Sequence, residues 1–323
     1  MKLDDLIGKI TCADCLDILK QLPDKCVDLV LTDPPYFGVV KNNWDNQWKN
    51  IQEFQSWVGE VGKELYRVLK DNGSFYWFGS WKNIAYCQVV LDRYFRLLNN
   101  IAWDSGCYLD MFIEKSFRKY SPHSNERILF YDKGEDKTGL EYIDKEFVMP
   151  NNPFCKELKK AIKEKNITIK EIAEYGHFYG NVNHGGAVTN WVKGYNIPSK
   201  EQFFKMNEIL CFEREYEDLR QEYEDLRRVW NNDGKAFDVL KFPFCADKGR
   251  FHPTQKPLSL ISYLLERSTN QGMLVLDCFS GSGTTAVACH KLKRRFICIE
   301  KDPEYWKASC ERLKQAQRQQ TLF

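Results

Sequence analysis

The 323-residue chain carries almost no net charge, with 47 Lys and Arg against 45 Asp and Glu for a balance of +2. That excludes a general attraction to polyanions, so any nucleic-acid affinity must come from local basic patches. No apolar run reaches the roughly 18 residues of a membrane-spanning helix, and the first residues lack the basic-then-apolar pattern of a secretory leader. Neither secretion nor membrane insertion is therefore expected. Twelve cysteines are present, yet Cys12 and Cys15 form the only C-x-x-C pair and no second pair stands at zinc spacing, which argues against a metal site. Cys278, Cys289 and Cys298 fall in apolar stretches, as expected of reduced thiols in a cytoplasmic protein. The length suffices for one substantial core and an accessory domain.

Two local patterns stand out. The apolar run Val27–Thr32 reads as a strand and ends in Asp33-Pro34-Pro35-Tyr36. Prolines fix their own φ, lack an N–H and push the preceding residue into an extended conformation. The turn therefore offers a carboxylate and carbonyl acceptors with few donors, and Tyr36 adds a ring. Such a rim suits a planar group with an exocyclic amine; a Pro-Pro turn that only caps a strand is the plainer alternative. Near the other end, 272–277 reads as a short buried strand, 278–285 as a tight glycine turn and 286 onward as a helix. Strand, glycine turn and helix form the nucleotide-cofactor element of doubly wound sheets. The next strand, 295–300, ends in Glu300, 17 residues beyond Gly283, where an acid can accept hydrogen bonds from ribose hydroxyls. No lysine follows the glycines, which excludes a triphosphate-binding loop.

Together these residues resemble the S-adenosyl-L-methionine-dependent DNA amino-methyltransferases, specifically the permuted beta class, in which the catalytic half precedes the cofactor half. Asp33-Pro34-Pro35-Tyr36 matches the catalytic motif and 277–284 the methionine-binding motif. His252-Pro253-Thr254-Gln255-Lys256-Pro257 matches the segment before the cofactor half, and Asp14 stands where the family places an acid beside the cofactor adenine. Residues 64–70 and 125–130 are lesser matches. The resemblance covers about 5–135 and 240–315. It implies a Rossmann-like α/β fold, a doubly wound and mainly parallel sheet, with S-adenosyl-L-methionine as cofactor and double-stranded DNA as partner. It also admits a homodimer and a cognate restriction endonuclease. The residues carried over are Asp33, Pro34, Pro35 and Tyr36 for catalysis. Those for the cofactor are Asp14, Asp33, His252, Thr254, Lys256, Asp277, Phe279, Gly281, Gly283, Thr284 and Glu300.

Strand-like and helix-like segments alternate at both ends, as in parallel α/β sheets. A helix is expected over 54–70, ended by Asp71-Asn72-Gly73, with others over 84–95 and 258–267; 74–78 and 127–131 read as strands. Neither the catalytic half (1–139) nor the cofactor half (240–323) closes a sheet alone, so one co-folded domain interrupted by 140–239 is expected. That insertion reads as mainly helical. Its 156–210 stretch resembles a repressor-type helix-turn-helix whose recognition helix, near Gly186–Lys193, would lie in a major groove. Its turn, 175–184, is about twice the usual length; a helical subdomain that only packs is the alternative. In 213–228 the sequence Glu-Tyr-Glu-Asp-Leu-Arg occurs twice, with Tyr216, Leu219, Tyr223 and Leu226 at heptad spacing. Two heptads do not make a coiled coil, and a solvated strut without chemistry is expected.

The chemistry implied by the resemblance has a specific obstacle. The amine of adenine or cytosine is a poor nucleophile because its lone pair is delocalised into the ring. Acceptors for its two protons, the Asp33 carboxylate and the Pro34 carbonyl, would favour a pyramidal nitrogen, and alignment with the departing sulfur supplies the rest. Neither a metal nor a covalent enzyme intermediate is needed. The base must leave the stack at a cost of a few kcal/mol, against which stacking on Tyr36 returns about 1–3 kcal/mol. Residues 37–49 suit a closing loop, unless Trp44 and Trp48 merely pack on the sheet. Candidate DNA contacts are Lys41, Trp44, Arg118 and Lys119, with Thr189, Asn190 and Lys193 on the recognition helix. Lys115, Lys133 and the lysines of 156–165 are further phosphate candidates. Cytosine C5 methylation uses a cysteine after a proline, and none of the eleven prolines here precedes Cys. In the family, Asp at the first motif position usually accompanies adenine and Ser cytosine, so Asp33 favours adenine N6, with cytosine N4 as the alternative. A protein glutamine amide is a further substrate, though relatives using it carry Asn in place of Asp33. A catalytically inactive DNA-binding regulator is disfavoured, because Asp33, Gly281 and Gly283 are all intact.

Overall fold

The structure is a computed structural model that describes residues 2–39, 41–106, 126–133, 152–180, 185–231, 236–243 and 251–320. The chain divides into two units, one drawn from 1–143 and 228–323 and the other from 144–227. The first contains β1 (Lys9–Cys12), α1 (Cys15–Leu19), β2 (Val27–Thr32), α2 (Ile51–Val68), β3 (Leu69–Ser80), α3 (Ile84–Leu91), β4 (Arg96–Asp104) and β5 (Glu126–Asp132). The second holds α4 (Pro153–Lys165), α5 (Ile169–Gly176), α6 (Gly186–Lys193), α7 (Lys200–Leu210) and α8 (Tyr216–Leu226). The first resumes with β6 (Val239–Lys241), α9 (Leu258–Ser268), β7 (Leu274–Asp277), α10 (Thr284–Lys291), β8 (Arg295–Glu300) and α11 (Pro303–Gln320).

All eight strands join one sheet in the order β1-β8-β7-β2-β3-β5-β4-β6. The run from β1 to β3 is parallel, and β5 is antiparallel to both β3 and β4. Strands from the two ends of the chain alternate, since β8 and β7 sit between β1 and β2. Helices cover both faces, which explains why β2 is apolar without alternation from Leu29 to Leu31. Val30 packs with the α2 and α3 side, Leu29 and Leu31 with α9 and α10. In α2 the fully buried Phe54, Val58, Val61, Leu65 and Val68 recur at three- and four-residue steps and form one stripe. Asn50 opens that helix by accepting the Glu53 N–H at 2.9 Å, a cap contributing about 1 kcal/mol.

Several boundaries differ from expectation. Helix α2 stops at Val68, because Leu69 is already extended and pairs with Val27. The partner of the next β2 pair jumps to Ser74, so Lys70 to Gly73 bulge out of a continuing strand instead of ending a helix. Helix α3 ends at Leu91, and Phe95 is buried beyond it against Phe75.

The helical unit has its own core of Leu158, Ile172, Val188, Trp191, Met206 and Leu210. Thr168 and Glu171 form a capping box at α5, and Ser199 and Gln202 another at α7. Helix α8 is not the solvated strut expected. Leu219 is fully buried with Phe154 and Phe203, and Tyr216 and Tyr223 pack against that cluster, whereas Leu226 is exposed.

Candidate active site

Strands β2 and β7 lie side by side, Leu29 opposite Val275 and Val30 opposite Leu276. The turns leaving their carboxyl ends therefore open onto the same edge. Beyond β2 the sheet continues through β3, and beyond β7 through β8, so the crevice between them is a topological switch point where such sheets bind ligands. Asp277 latches the two ends. Its carboxyl accepts from Thr32 Oγ1 at 3.0 Å, Thr285 Oγ1 at 2.6 Å and the Phe279 N–H at 3.1 Å. Burial pushes its pKa up to about 6. A cavity of about 630 Å³ opens there, with Asp33 to Tyr36 on one wall and Asp277 to Ser282 on the other.

The Asp33 carboxylate is engaged on both oxygens. Tyr36 Oη donates to Oδ1 at 2.5 Å and Lys256 Nζ to Oδ2 at 2.5 Å. Both donors also reach Glu126 Oε2, Tyr36 Oη at 2.9 Å and Lys256 Nζ at 3.0 Å. Lys256 is 4% exposed, and its ammonium lies 5.4–5.9 Å from the ring centres of Tyr36, Phe78 and Trp103. Burial alone would lower its pKa, but Asp33 and Glu126 more than offset this and hold it above the usual lysine value. Glu126 is raised, first by burial and further by Asp33, with Lys256 opposing. Tyr36 is pushed well up by burial and by both carboxylates. Each carboxylate oxygen has more than one acceptor site, so Asp33 can still accept from a bound amine. Among the described residues nothing donates to the Pro34 carbonyl.

Residues absent from the sequence-based list hold this turn. Asp45 is fully buried and accepts the N–H groups of Tyr36, Phe37 and Val39, the last two at 2.9 and 2.7 Å. Asn83 Nδ2 donates to the carbonyls of Tyr36 and Phe37. These bonds support a left-handed pair, Phe37 at φ 63° and Gly38 at φ 72°. The two tryptophans of this loop divide. Trp48 packs on Phe54 and Trp57, while Trp44 lines the cavity with its ring 6.0 Å from that of His252.

On the opposite wall, Gly281 (φ 50°) donates its N–H to Glu300 Oε2 at 2.7 Å, and a Cβ there would come within 3.3 Å of His252 Nε2. The other Glu300 oxygen accepts the Asp302 N–H at 2.8 Å, and burial raises its pKa. Gly283 does not line the cavity, contrary to expectation. A Cβ there would meet Ser309 Cβ at 2.9 Å, so its role is the close approach of α10 to α11. Asp14 caps α1 through the Leu16 N–H at 3.0 Å, pairs with Lys301 at 3.0 Å and lines the cavity. Thr254 and Thr284 also line it; Thr284 Oγ1 accepts from Arg312 at 2.8 Å.

The walls fit S-adenosyl-L-methionine. Trp57 and Phe279 form an aromatic face, the Asp14 and Glu300 carboxylates accept from hydroxyl or amino groups, and the volume lies within the range of small-ligand sites. Gln255 Oε1 and Trp44 Nε1 are buried on cavity-lining residues without a partner among the described residues, the condition a polar ligand relieves.

The DNA candidates scatter. Lys41 is exposed, Lys193 is exposed on α6, and Thr189 and Asn190 are half-buried beside it. Lys115, Arg118 and Lys119 lie outside the described residues. Lys133 is buried, donating to the Leu69 carbonyl at 2.8 Å and pairing with Asp71 at 3.2 Å, which removes it as a phosphate contact. Lys160 is ion-paired with Glu213.

A doubly wound sheet with a glycine turn and an acceptor-rich Asp-Pro-Pro-Tyr turn on one crevice defines a class I methyltransferase fold built for an amine substrate. The chain belongs to the DNA methylase family of N6 and N4 methyltransferases, whose pattern matches residues 27–311. Among curated relatives, the type II methyltransferase M1.MboII of Moraxella bovis is 28% identical over 301 residues, 93% of this chain and 94% of the relative. The DNA adenine methyltransferase YhdJ of Escherichia coli K12 is 26% identical over 303 residues, 93% of this chain and 80% of the relative. Among solved structures, the M1.HpyAVI–SAM complex covers 94% of this chain and 98% of its own at 20% identity and TM-score 0.52. The cytosine-N4-specific PvuII methyltransferase covers 95% and 90% at 17% identity and TM-score 0.52. Both share the fold. The cofactor is S-adenosyl-L-methionine and the substrate is DNA.

Proposed function

We propose that this enzyme methylates the N6 amine of adenine at specific sites in duplex DNA, after flipping the base into the cavity. The reading rests on one observation: Asp33 and Pro34 line the same cavity as the Gly281 turn. When bound, the cofactor supplies a methyl group on a sulfonium. Asp33 and the Pro34 carbonyl accept the two amine protons, which draws the nitrogen toward a pyramidal shape and frees its lone pair. Lys256 fixes the Asp33 carboxylate by donating to its Oδ2, while the aromatic walls exclude water. Tyr36 offers its ring to the extruded base; its hydroxyl is already committed to the two carboxylates. Asp33 at the head of the turn favours adenine, and one relative bears the name of an adenine methyltransferase. Thr189, Asn190 and Lys193 of α6 are the proposed readers of flanking sequence, with Lys41 and Trp44 at the cavity loop.

Nucleoside mass spectrometry of duplex DNA incubated with enzyme and S-adenosyl-L-methionine tests the base assignment. N6-methyladenine is the expected product. N4-methylcytosine in its place would overturn the adenine reading while leaving the amine chemistry intact.

A further inference from the structure

Tyr36 presents one hydroxyl hydrogen to two carboxylates, Asp33 Oδ1 at 2.5 Å and Glu126 Oε2 at 2.9 Å. A hydroxyl has a single proton to donate, so only one of these contacts can be its hydrogen bond at a time. The other carboxylate still has the Lys256 ammonium as a donor, which also reaches the phenol oxygen at 3.2 Å. Lys256 Nζ bridges the same two carboxylates at 2.5 and 3.0 Å, holding them in place and balancing one of their charges. The phenol hydrogen thus has two alternative acceptors, one on each carboxylate.

The methylation itself leaves a proton to dispose of. As the amine nitrogen gains a methyl it must lose one hydrogen, and Asp33, which accepts that hydrogen bond, is the first base available. In the working complex the cavity holds both base and cofactor, so the face of Asp33 toward solvent is covered. The protein side remains open: Asp33 leads to Tyr36 and on to Glu126.

We infer that Glu126 receives the proton released by the amine, relayed from Asp33 through the Tyr36 hydroxyl. In the step, the N–H bond breaks and an O–H bond forms on Asp33 Oδ1. That proton passes to the Tyr36 oxygen as the phenol hydrogen passes to Glu126 Oε2. Asp33 returns to carboxylate, Tyr36 remains a phenol and Glu126 becomes a carboxylic acid; nothing is oxidised or reduced. Glu126, at the first residue of β5, has the buried surroundings that favour its protonated form. It then loses the proton to solvent once product leaves. Glu126 lines the same cavity, and its part in the relay is to act through Tyr36 and Asp33.

The inference rests on Asp33 as the amine acceptor, and the two fail differently. Single-turnover methyl transfer to duplex DNA is measured against pH for wild type, Asp33→Asn, Glu126→Gln and Tyr36→Phe, with cofactor affinity by titration calorimetry. Glu126→Gln keeps a hydrogen-bonding side chain of the same shape but cannot take the proton. It is expected to slow transfer at least tenfold with cofactor affinity unchanged. The acid limb of the rate profile should disappear or move, and Tyr36→Phe should share that loss. A wild-type rate and profile in Glu126→Gln overturns the relay. So does a parallel loss of cofactor binding, which makes Glu126 a structural support. Full activity in Asp33→Asn would sink the acceptor assignment instead.

Discussion

At the scale of single residues, the site depends on one ammonium between two carboxylates. Lys256 is among the most buried charges of the described chain, and its partners are themselves mostly covered, at 20% and 12% side-chain exposure for Asp33 and Glu126. Breaking a buried pair costs about 3–5 kcal/mol, because the remaining charge has lost both water and counter-ion. Lys256→Met should therefore abolish methyl transfer at neutral pH and lower stability. Burial already raises the Glu126 pKa, and without the lysine it loses the charge that opposes that rise. The unfolded chain then sheds that proton first, and stability falls as pH rises through and beyond the ordinary carboxylate range. Urea unfolding at pH 5 and pH 8 is the check, with a larger deficit expected at pH 8. An equal deficit at both would mean that charge is not what Lys256 supplies.

Elements explain why some of this was readable in the sequence and some was not. β2 and the glycine turn were legible because each is a contiguous pattern: a strand buried on both faces shows consecutive apolar residues, here Leu29 to Leu31, and a turn with left-handed positions reads as glycines. Asp45 and Asn83 carry no such signal. They are single polar residues whose partners are backbone groups of the Tyr36 turn, and that relation is tertiary. Glu126 fell inside a minor match, but its link to Tyr36 and Lys256 joins β5 to two other elements. Lys70 to Gly73 look like a helix stop because a bulge and a turn use the same residues. Asp277 makes the element scale testable. Its pKa of about 6 lies above the ordinary aspartate value, so between about pH 4 and 6 the folded chain keeps a proton that the unfolded chain has lost. Stability from this group is therefore highest below that window and declines across it, by roughly 3 kcal/mol in all. Asp277→Asn keeps the acceptor for Thr32 and Phe279 and removes the titration. Its unfolding free energy should be flatter than wild type from pH 4 to 6, and an unchanged slope would assign the titration to another group.

For the whole molecule, the division of labour follows from which part supplies the sheet. All eight strands, and both turns that meet at β2 and β7, come from residues outside 144–227. The excised segment would take with it a set of helices with their own core around Trp191 and Leu210 and, among the described residues, no wall of the cavity. On the proposal above, cofactor binding and base chemistry belong to one unit and reading of flanking sequence to the other. Replacing 144–227 with a flexible linker should leave S-adenosyl-L-methionine affinity within about threefold, since each 1.4 kcal/mol is a tenfold change and no cavity contact is lost. Methylation should spread to adenines regardless of context as the α6 side chains disappear. Sequencing of modified positions against the intact enzyme gives the answer, and the triple substitution Thr189→Ala, Asn190→Ala, Lys193→Ala refines it. If both variants kept the parent's sequence preference, recognition would have to reside in the sheet-bearing unit. The helices would then be packing alone, the plainer of the two readings their sequence permits.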